Sequence, residues 1–446
     1  MKKSLSLKKE LFYGGRASLR DGWIGQMFLH ALKKHETLSS DEMETLRLTL
    51  LRKSLRCAIS KLPYYATIPR DFSPDQSIKF LQEYFPIIDK ATLIENRSRL
   101  YPNSGKSGIW QPIGETSGTT GTPLTIFRSL ESVLWENAFI KRHWAGFGHH
   151  DGMRRATLRE EMPVPASQTK APFWYLNRYN NQLVLSSLHI KEDCVDSIID
   201  KLDDFRPAML QAFPSTAFSL ATHLKRHNRY LDIPLVFTAS EPLYKHQREL
   251  IEERLRGRVV DMFGMAERVA FATECAYGEM HVNSDYSYVE IVDSDGLPTN
   301  DYGQVVGTSF HNLAMPLVRY KLSDYTRWKH GKCQCGSAFP RIESVSGRQE
   351  DMIYGADGAV VSAFLSLAFS GAQNIRKSQV AQIEPLRWQI RLVPTALFDE
   401  HDKQKLIANI ERIINPKVAL EVVLLDDIPN EASGKFRWIV NEMKNK

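Results

Sequence analysis

The sequence lacks any run of about 18 consecutive apolar residues, the length that a membrane-spanning helix requires. It has only five cysteines among 446 residues. This odd number in a long chain does not suggest a disulfide framework, so reduced thiols or a metal site are the better interpretations. Repeats and low-complexity tracts are also lacking, and no apolar stretch follows the basic first residues as it would in a secretory signal. These absences predict a cytoplasmic protein without a membrane span.

The charge pattern lacks the clustering that nucleic-acid binding needs. Lys and Arg number 58 against 52 Asp and Glu, and the surplus is spread along the chain. Apolar residues make up 43% and charged residues 25%, close to globular averages. The length allows a large core and more than one domain.

Apolar periodicity predicts an α/β fold. Ser39 or Ser40, followed by acidic residues, marks a helix start. From about residue 125 onward, short apolar runs alternate with helical patterns, which is typical of α/β layers. We expect a helix at 244–256 and strands at 209–213, 235–238 and 259–263.

Two further regions differ in texture. Alternating strands with the turn sequences DSDG and NDYG predict a β-rich subdomain at about 285–349. The last hundred residues suit a small α+β domain with helices near 362–370 and 399–414 and strands near 379–394 and 419–425. We therefore expect a large N-terminal α/β domain, residues 1–349, and a small C-terminal domain, residues 350–446.

One short segment, GETSGTTGTP at 114–123, combines glycines with hydroxyl side chains. Glycine lets the backbone approach a ligand closely, and successive N–H groups can form an anion-binding concavity. The spacing matches neither the Walker loop nor the dinucleotide fingerprint. On composition alone, a flexible linker and a phosphate loop are equally good interpretations.

Further segments follow this one in order, and together they carry a resemblance. They are TASEPLY at 238–244, VVDMFGMAE at 259–267, RYKLSD at 319–324, SGRQED at 346–351 and ASGKFR at 432–437. With TSGTTGTP at 116–123, the chain resembles the adenylate-forming superfamily, in its branch of phenylacetate-CoA ligase and CapK-like proteins. The resemblance implies an enzyme that uses ATP and Mg²⁺ to activate a carboxylic acid as an acyl-adenylate.

The acceptor of the acyl group stays open at this point. The ligase resemblance implies coenzyme A, whereas the CapK resemblance also suits an amine acceptor in polysaccharide or secondary-metabolite biosynthesis. A degenerate, non-catalytic nucleotide-binding protein is a third alternative, because Ala266 stands where relatives have a threonine that contacts the α-phosphate. Leu322 and Ser323 likewise replace Thr-Gly ahead of Asp324.

The resemblance also implies the nucleotide contacts. The phosphate loop would contribute Thr116, Ser117, Gly118, Thr119, Thr120, Gly121 and Thr122, with Thr119 taken as catalytic. The adenine side would be formed by Ser240, Glu241, Pro242, Asp261, Phe263 and Gly264. Glu267 would act catalytically by holding Mg²⁺. Asp324 would contact the ribose, and Arg348 would contact the ribose or phosphate from the other side.

The C-terminal domain is implied to be mobile. Lys435 would reach the carboxylate and the α-phosphate in the first half-reaction, because its long stem can cross a domain gap. Glu350 occupies the hinge position, where rotation would withdraw Lys435 and admit the acceptor.

A separate set of residues has metal-ligand chemistry. Two close pairs offer three thiols and one imidazole, which suits a tetrahedral structural Zn²⁺ site: Cys275 with His281, and Cys333 with Cys335. Reduced structural cysteines are the alternative. The acid itself is not specified, since aromatic residues that could line its pocket are equally well explained as core: Phe213, Phe263 and Phe271.

Overall fold

The computed structural model describes residues 14–15, 17–101, 113–115, 124–159, 163–165, 168–190, 192–343, 345, 353, 369, 374–414, 418–429 and 437–443. Within them the α-helices are Trp23–His35, Ser40–Lys61, Ser77–Tyr84, Lys90–Glu95, Arg97–Leu100, Leu130–Ala145, Glu192–Phe205, Pro214–Arg226, Lys245–Leu255 and Glu400–Ile414. The fold is mixed α/β, as predicted. None of the helices described is both long enough and apolar enough to span a membrane.

The strands alternate with these helices in the middle of the chain and are grouped elsewhere. They are Ile113–Glu115, Thr125–Phe127, Arg155–Leu158, Trp174–Asn177, Gln182–Leu185, Met209–Ala212, Leu235–Ala239, Arg258–Gly264, Phe271–Glu274, Met280–Val282, Ser287–Val292, Gly303–Ser309, Tyr320–Thr326, Trp328–Lys329, Arg341–Ile342, Ile375–Glu384, Arg387–Pro394, Ala419–Leu424 and Ile439–Asn441.

The chain forms two compact units. The first contains Met1–Gly152 and Met262–Val345, and the second contains Met153–Asp261 and Ser346–Lys446. This division differs from the sequence boundary between residues 349 and 350, which stays a prediction.

In the first unit, the predicted helix start is confirmed. Ser39 is the N-cap of the helix Ser40–Lys61, and a capping box joins it to Glu42. The Ser39 hydroxyl accepts from the Glu42 N–H at 3.3 Å, and the Glu42 carboxylate accepts from the Ser39 N–H at 2.9 Å. These bonds satisfy N–H groups that the first turn of a helix leaves unpaired.

The same helix covers the predicted β-rich region. Three antiparallel strands form a sheet there in the order Ser287–Val292, Gly303–Ser309, Tyr320–Thr326. The DSDG turn after the first strand is closed by the Asp293 carboxylate, which accepts from the N–H of Leu297 at 2.9 Å. Leu51, Leu55 and Ala58 of the helix belong to one buried cluster with apolar residues of this sheet.

The second unit contains a largely parallel sheet covered by helices. Its strand order is Leu235–Ala239, Met209–Ala212, Arg155–Leu158, Gln182–Leu185, Trp174–Asn177, and only the last pairs antiparallel with its neighbour. The helices Glu192–Phe205, Pro214–Arg226 and Lys245–Leu255 bury apolar residues in the same cluster as these strands. Strand–helix–strand crossovers of this kind bury both faces of a parallel sheet.

A separate four-stranded sheet in this unit belongs to the C-terminal part of the chain. Its order is Ala419–Leu424, Arg387–Pro394, Ile375–Glu384, Ile439–Asn441. Leu406 and Ile410 of the helix Glu400–Ile414 share its buried cluster with the fully buried Trp388. The predicted helix at 399–414 and strand at 419–425 are confirmed to within one residue at each end. The helix predicted near 362–370 falls, apart from Phe369, outside the described residues.

Candidate active site

Part of the predicted nucleotide site falls outside the residues that the structure describes. These residues are Thr116, Ser117, Gly118, Thr119, Thr120, Gly121 and Thr122 of the phosphate loop, together with Arg348, the hinge residue Glu350 and Lys435. Their roles stay predictions. The strands that precede and follow the loop in sequence are described, and they pair antiparallel with Glu115 opposite Thr125.

Glu267, the predicted magnesium ligand, lies between two residues that long-range bonds hold in place. The guanidinium of Arg128 donates to the carbonyl of Ala266 at 2.8 Å. Arg268 in turn donates to the carbonyl of Ser132 at 2.8 Å. Each bond ties a neighbour of Glu267 to the chain that directly follows the second of the paired strands. Glu267 is therefore anchored to the continuation of the predicted phosphate segment.

A polar network within the first unit connects Arg268 with Glu136 and Tyr286. Tyr286 donates to the Glu136 carboxylate at 2.6 Å, and the Nε of Arg268 lies 3.4 Å from the same oxygen. Arg268 has a φ of 58°, in the left-handed region that residues with side chains rarely adopt. Such a conformation persists only where surrounding contacts fix it, and it is often found at functional sites.

Glu267 also has a neutral hydrogen-bond donor. The hydroxyl of Tyr320 bonds to its carboxylate, and burial, followed by the charge of Glu267, raises the pKa of Tyr320 well above its ordinary value. The phenol therefore keeps its proton and donates a hydrogen bond to the carboxylate. Burial, followed by the charge of Arg268, lowers the pKa of Arg128 to about 10, so this guanidinium remains charged at neutral pH.

The other predicted nucleotide residues of the first unit are partly buried. Phe263 is half-buried and packs against two apolar clusters. A Cβ at Gly264 would stand 3.2 Å from the Phe271 ring, so any side chain there would displace that ring. Asp324 is half-buried on the strand Tyr320–Thr326. Leu322 on the same strand is a core residue, 5% exposed, so this departure from the family motif fills the core.

The remaining predicted residues belong to the second unit. Ser240 accepts a hydrogen bond from Arg159 at 2.7 Å. The Glu241 carboxylate accepts from both the backbone N–H and the hydroxyl of Ser215 at 3.0 Å, at the start of the helix Pro214–Arg226. The neighbouring Pro242 is half-buried, and Asp261 accepts from the Thr238 hydroxyl at 2.6 Å. That the two groups of residues share one nucleotide stays a prediction.

Two of the aromatic residues considered for an acid pocket are core residues. Phe213 is fully buried and Phe271 is 2% exposed. The ring of Phe271 stacks on Tyr286 with centroids 5.0 Å apart. Core packing therefore accounts for both.

The structure brings the four predicted zinc ligands together. One ligand atom from each of Cys275, His281, Cys333 and Cys335 lies within 4.8 Å of the other three. Antiparallel pairing of the strands Phe271–Glu274, Met280–Val282 and Arg341–Ile342 carries His281 to this place. The distance between the Cys275 and Cys333 sulfurs is 3.8 Å, and the Cys335 sulfur lies 3.3 Å from the His281 Nε2.

Burial and the neighbouring thiols shift the pKa values of Cys333 and Cys335 in opposite directions. Burial opposes ionisation of Cys333, but the N–H and thiol of Cys335 outweigh it and lower the pKa of Cys333. Burial raises the pKa of Cys335 to about 11, and the neighbouring thiols add to the effect. The cluster therefore does not ionise all its thiols at neutral pH without a cation to balance them.

Sequence reasoning missed the residues that anchor the predicted site. Arg128, Arg159 and Tyr320 hold Ala266, Ser240 and Glu267, as described above. Tyr320 lies within the recognised segment RYKLSD, and Arg268 directly follows another motif. These positions are the sequence signals that could have pointed to them.

Comparisons with known proteins agree over most of the chain. Residues 353–442 match the family model of the CapK C-terminal domain. Protein CapK of Staphylococcus aureus is 25% identical over 340 residues, which cover 74% of this chain and 74% of that protein. Phenylacetate-coenzyme A ligase of Escherichia coli K12 is 25% identical over 354 residues, covering 71% and 74% respectively.

A solved structure supports the fold. 2-Hydroxyisobutyryl-CoA ligase in the postadenylation state aligns with a TM-score of 0.72, over 93% of this chain and 92% of that one. The sequence identity is 17%, so this likeness shows a shared fold.

Proposed function

The chain belongs to the adenylate-forming superfamily, in its CapK-like branch, and we propose from this premise that it is an ATP-dependent, AMP-forming carboxylate ligase. It would join an organic acid to AMP and then pass the acyl group to an acceptor, most simply the thiol of coenzyme A. The relatives named as phenylacetate-coenzyme A ligases support this acceptor.

The anchoring of Glu267 is the observation that carries the proposal. A carboxylate oxygen is a hard ligand that suits Mg²⁺. Here the carboxylate is held by the Tyr320 hydroxyl, and the residues on both sides of it are tied to the chain after the predicted phosphate loop. Glu267 would hold a magnesium ion here, and the ion would supply positive charge to offset that of the phosphates.

In the first step, an oxygen of the substrate carboxylate attacks the α-phosphorus of ATP. The bond between the α-phosphorus and its bridging oxygen breaks, and pyrophosphate leaves with that oxygen. Because two anions must meet, positioning and positive charge are the main contributions a protein can make. We assign these to Glu267 with Mg²⁺, to the phosphate loop and to Lys435.

In the second step, the sulfur of coenzyme A attacks the acyl carbonyl carbon. The thiol proton passes to solvent, the bond between the acyl carbon and the AMP oxygen breaks, and AMP leaves with that oxygen. Transfer to an amine would follow the same course with nitrogen as the nucleophile. The similarity to protein CapK is the specific observation that keeps the amine acceptor as a second candidate.

Exchange of labelled pyrophosphate into ATP in the presence of a panel of carboxylic acids tests the proposal. We expect exchange with at least one acid, and a loss of about 100-fold or more in Glu267→Gln, because a misplaced metal misaligns the reacting groups. Glu249→Gln is the matched control, since Glu249 is exposed in the helix Lys245–Leu255. Binding of ATP without exchange for any acid would favour the non-catalytic alternative. Adding coenzyme A or amines then identifies the acceptor.

We further propose that the cluster of Cys275, His281, Cys333 and Cys335 binds a structural Zn²⁺. Two sulfurs bound to one zinc ion at about 2.3 Å stand about 3.8 Å apart at the tetrahedral angle, and a sulfur and a nitrogen about 3.6 Å apart. The distances of 3.8 Å and 3.3 Å fit this geometry. The other ring nitrogen of His281 donates to the Phe339 carbonyl at 2.9 Å, an outer contact typical of metal-bound histidine.

Metal analysis after dialysis against a weak chelator tests this site. We expect about one tightly held zinc per chain, lost in the Cys275→Ser/Cys333→Ser variant and retained in Cys57→Ser, because Cys57 lies outside the cluster. Full-length protein without zinc would show that the cysteines are reduced structural residues.

A further inference from the structure

A second cluster of metal-ligand side chains lies in the second unit, away in sequence from every residue assigned above. It joins the first residue of the helix Glu192–Phe205 to the end of the helix Pro214–Arg226. His223 lies in the last turn of that helix and His227 directly follows it, four positions later, so the two rings share one face. One ligand atom from each of Glu192, His223 and His227 lies within 4.8 Å of the other two.

The distances within this cluster are too long for hydrogen bonds and suit a shared cation. One oxygen of Glu192 lies 3.9 Å from the Nδ1 of His223, and its other oxygen lies 3.7 Å from the Nε2 of His227. A nitrogen and an oxygen bound to one zinc ion stand about 3.4 Å apart at the tetrahedral angle. Glu192 has 54% of its side chain exposed and can close the small difference by rotation.

Two of the three ligands that the proposal needs, His223 and Glu192, are each oriented by a second group. The Nε2 of His223 lies 3.1 Å from an Asp196 carboxylate oxygen, so the ring donates there and turns the Nδ1 lone pair toward Glu192. A carboxylate behind a histidine is the outer contact that metal-bound imidazoles usually have. Arg226 donates to Glu192 at 2.6 Å and fixes the carboxylate without using both of its oxygens.

The charged side chains around this cluster carry a net negative charge, which favours a bound cation. Arg226 pairs with Glu192, and Arg229 pairs with Asp200 at 2.6 Å and with Asp196 at 3.5 Å. Among these groups, three carboxylates face two guanidinium groups, so one negative charge is left over. A network of ion pairs alone would account for the arginines. It would leave the ring nitrogens of His227, whose Nε2 lies 3.7 Å from Glu192, without a hydrogen bond among the described residues.

We propose that Glu192, His223 and His227 bind one divalent transition-metal ion that favours imidazole, with Zn²⁺ as the reference ion. The side chain of His227 is 44% exposed, so the fourth position of a tetrahedral ion faces solvent and takes water or a donor from another molecule. This site is exchangeable, unlike the closed site that four protein ligands would make at the cysteine cluster.

Calorimetric titration of Zn²⁺ into full-length protein whose cysteine cluster is already loaded tests the proposal. We expect one additional equivalent to bind to the wild type, and a loss in affinity of at least about 10-fold in His227→Gln and about 10-fold in Asp196→Asn. His401→Gln is the matched control, because His401 is an exposed histidine on another helix, and it should leave the titration unchanged.

A Co²⁺ titration separates this site from the thiol site. Cobalt bound by imidazole and carboxylate gives weak visible absorption, whereas thiolate ligation adds intense near-ultraviolet absorption. We expect the additional equivalent to lack the thiolate signal and to be unaffected by Cys275→Ser. No additional equivalent, equal binding by His227→Gln and the wild type, or a thiolate signal for that equivalent would each overturn the proposal and leave an ion-pair cluster.

Discussion

Replacing Asp285 by asparagine should destabilise the first unit more than any exposed substitution of the same kind. The Asp285 side chain is fully buried, and it accepts from Arg142 at 2.6 and 3.0 Å. His35 bonds to it at 2.8 Å. Asn283 also accepts from Arg142, at 2.6 Å, so one buried guanidinium connects two positions of the same turn.

The expected loss follows from the buried charge that the substitution leaves behind. Arg142 is 4% exposed in its side chain and would keep its charge, with only the half-exposed Glu36 carboxylate, 4.0 Å from its Nε, as an acidic partner. Breaking a buried ion pair on one side costs about 3 to 5 kcal/mol. With a denaturant slope of about 2 to 3 kcal/mol per molar urea, the unfolding midpoint should fall by about 1 to 2.5 M.

The effect should depend on pH in a defined direction. Burial opposes ionisation of Asp285, but Arg142 and His35 outweigh it and hold its pKa well below the ordinary value. A carboxyl with a lowered pKa stabilises the folded state above pH of about 4, and that contribution is lost as the pH falls further. The difference in unfolding free energy between the wild type and Asp285→Asn should therefore be largest at pH 7 and should become smaller in acid.

Urea unfolding followed by tryptophan fluorescence measures both effects. Asp301→Asn is the matched control, because it removes the same charge from an exposed position. The double variant Arg142→Met/Asp285→Leu should lose less stability than Asp285→Asn, since it leaves no charge unpaired. Equal midpoints for Asp285→Asn and Asp301→Asn would refute the reasoning. Tyr286 follows Asp285 and bonds to Glu136, so pyrophosphate exchange should fall as well.

Other predictions concern the anchoring network and buried groups. Arg128→Met leaves the Ala266 carbonyl without its charged donor, so the Mg²⁺ concentration for half-maximal pyrophosphate exchange should rise about 10-fold or more. An unchanged magnesium dependence would argue against a positioning role for Arg128. Tyr320→Phe should have a smaller effect in the same direction in the same assay, because it removes one neutral donor from Glu267. Burial lowers the pKa of three histidines to about 4: His143, His246 and His311. Their neutral forms therefore stabilise the fold fully above pH of about 6.5, and this contribution should be lost as the pH falls toward 4. A urea unfolding midpoint that stays constant from pH 7 to 5 would contradict this prediction.

Local patterns predicted the secondary structure well where short-range chemistry decides it. The cap at Ser39 and the helix Lys245–Leu255, expected at 244–256, depend on residues within a few positions of each other. The strands expected at 209–213, 235–238 and 259–263 lie within one residue of their observed bounds at each end, because continuous apolar runs mark buried strands.

Long-range contacts were beyond the reach of the sequence. The bond from Arg128 to Ala266 spans 138 positions, and no periodicity signals it. The Cys275 and Cys333 sulfurs meet across 58 positions, and ligand chemistry rather than spacing suggested that pair. Glu192 and His223 meet because two helices pack side by side, and nothing in either segment alone indicates the other.

Acid-dependent exchange of labelled pyrophosphate into ATP, with mass spectrometry for the acyl-AMP product, tests the central claim most directly. We expect exchange and an acyl-adenylate for at least one carboxylic acid in the wild type, both lost in Glu267→Gln and both retained in Glu249→Gln. Neither exchange nor acyl-AMP for any acid, or full activity in Glu267→Gln, would contradict it.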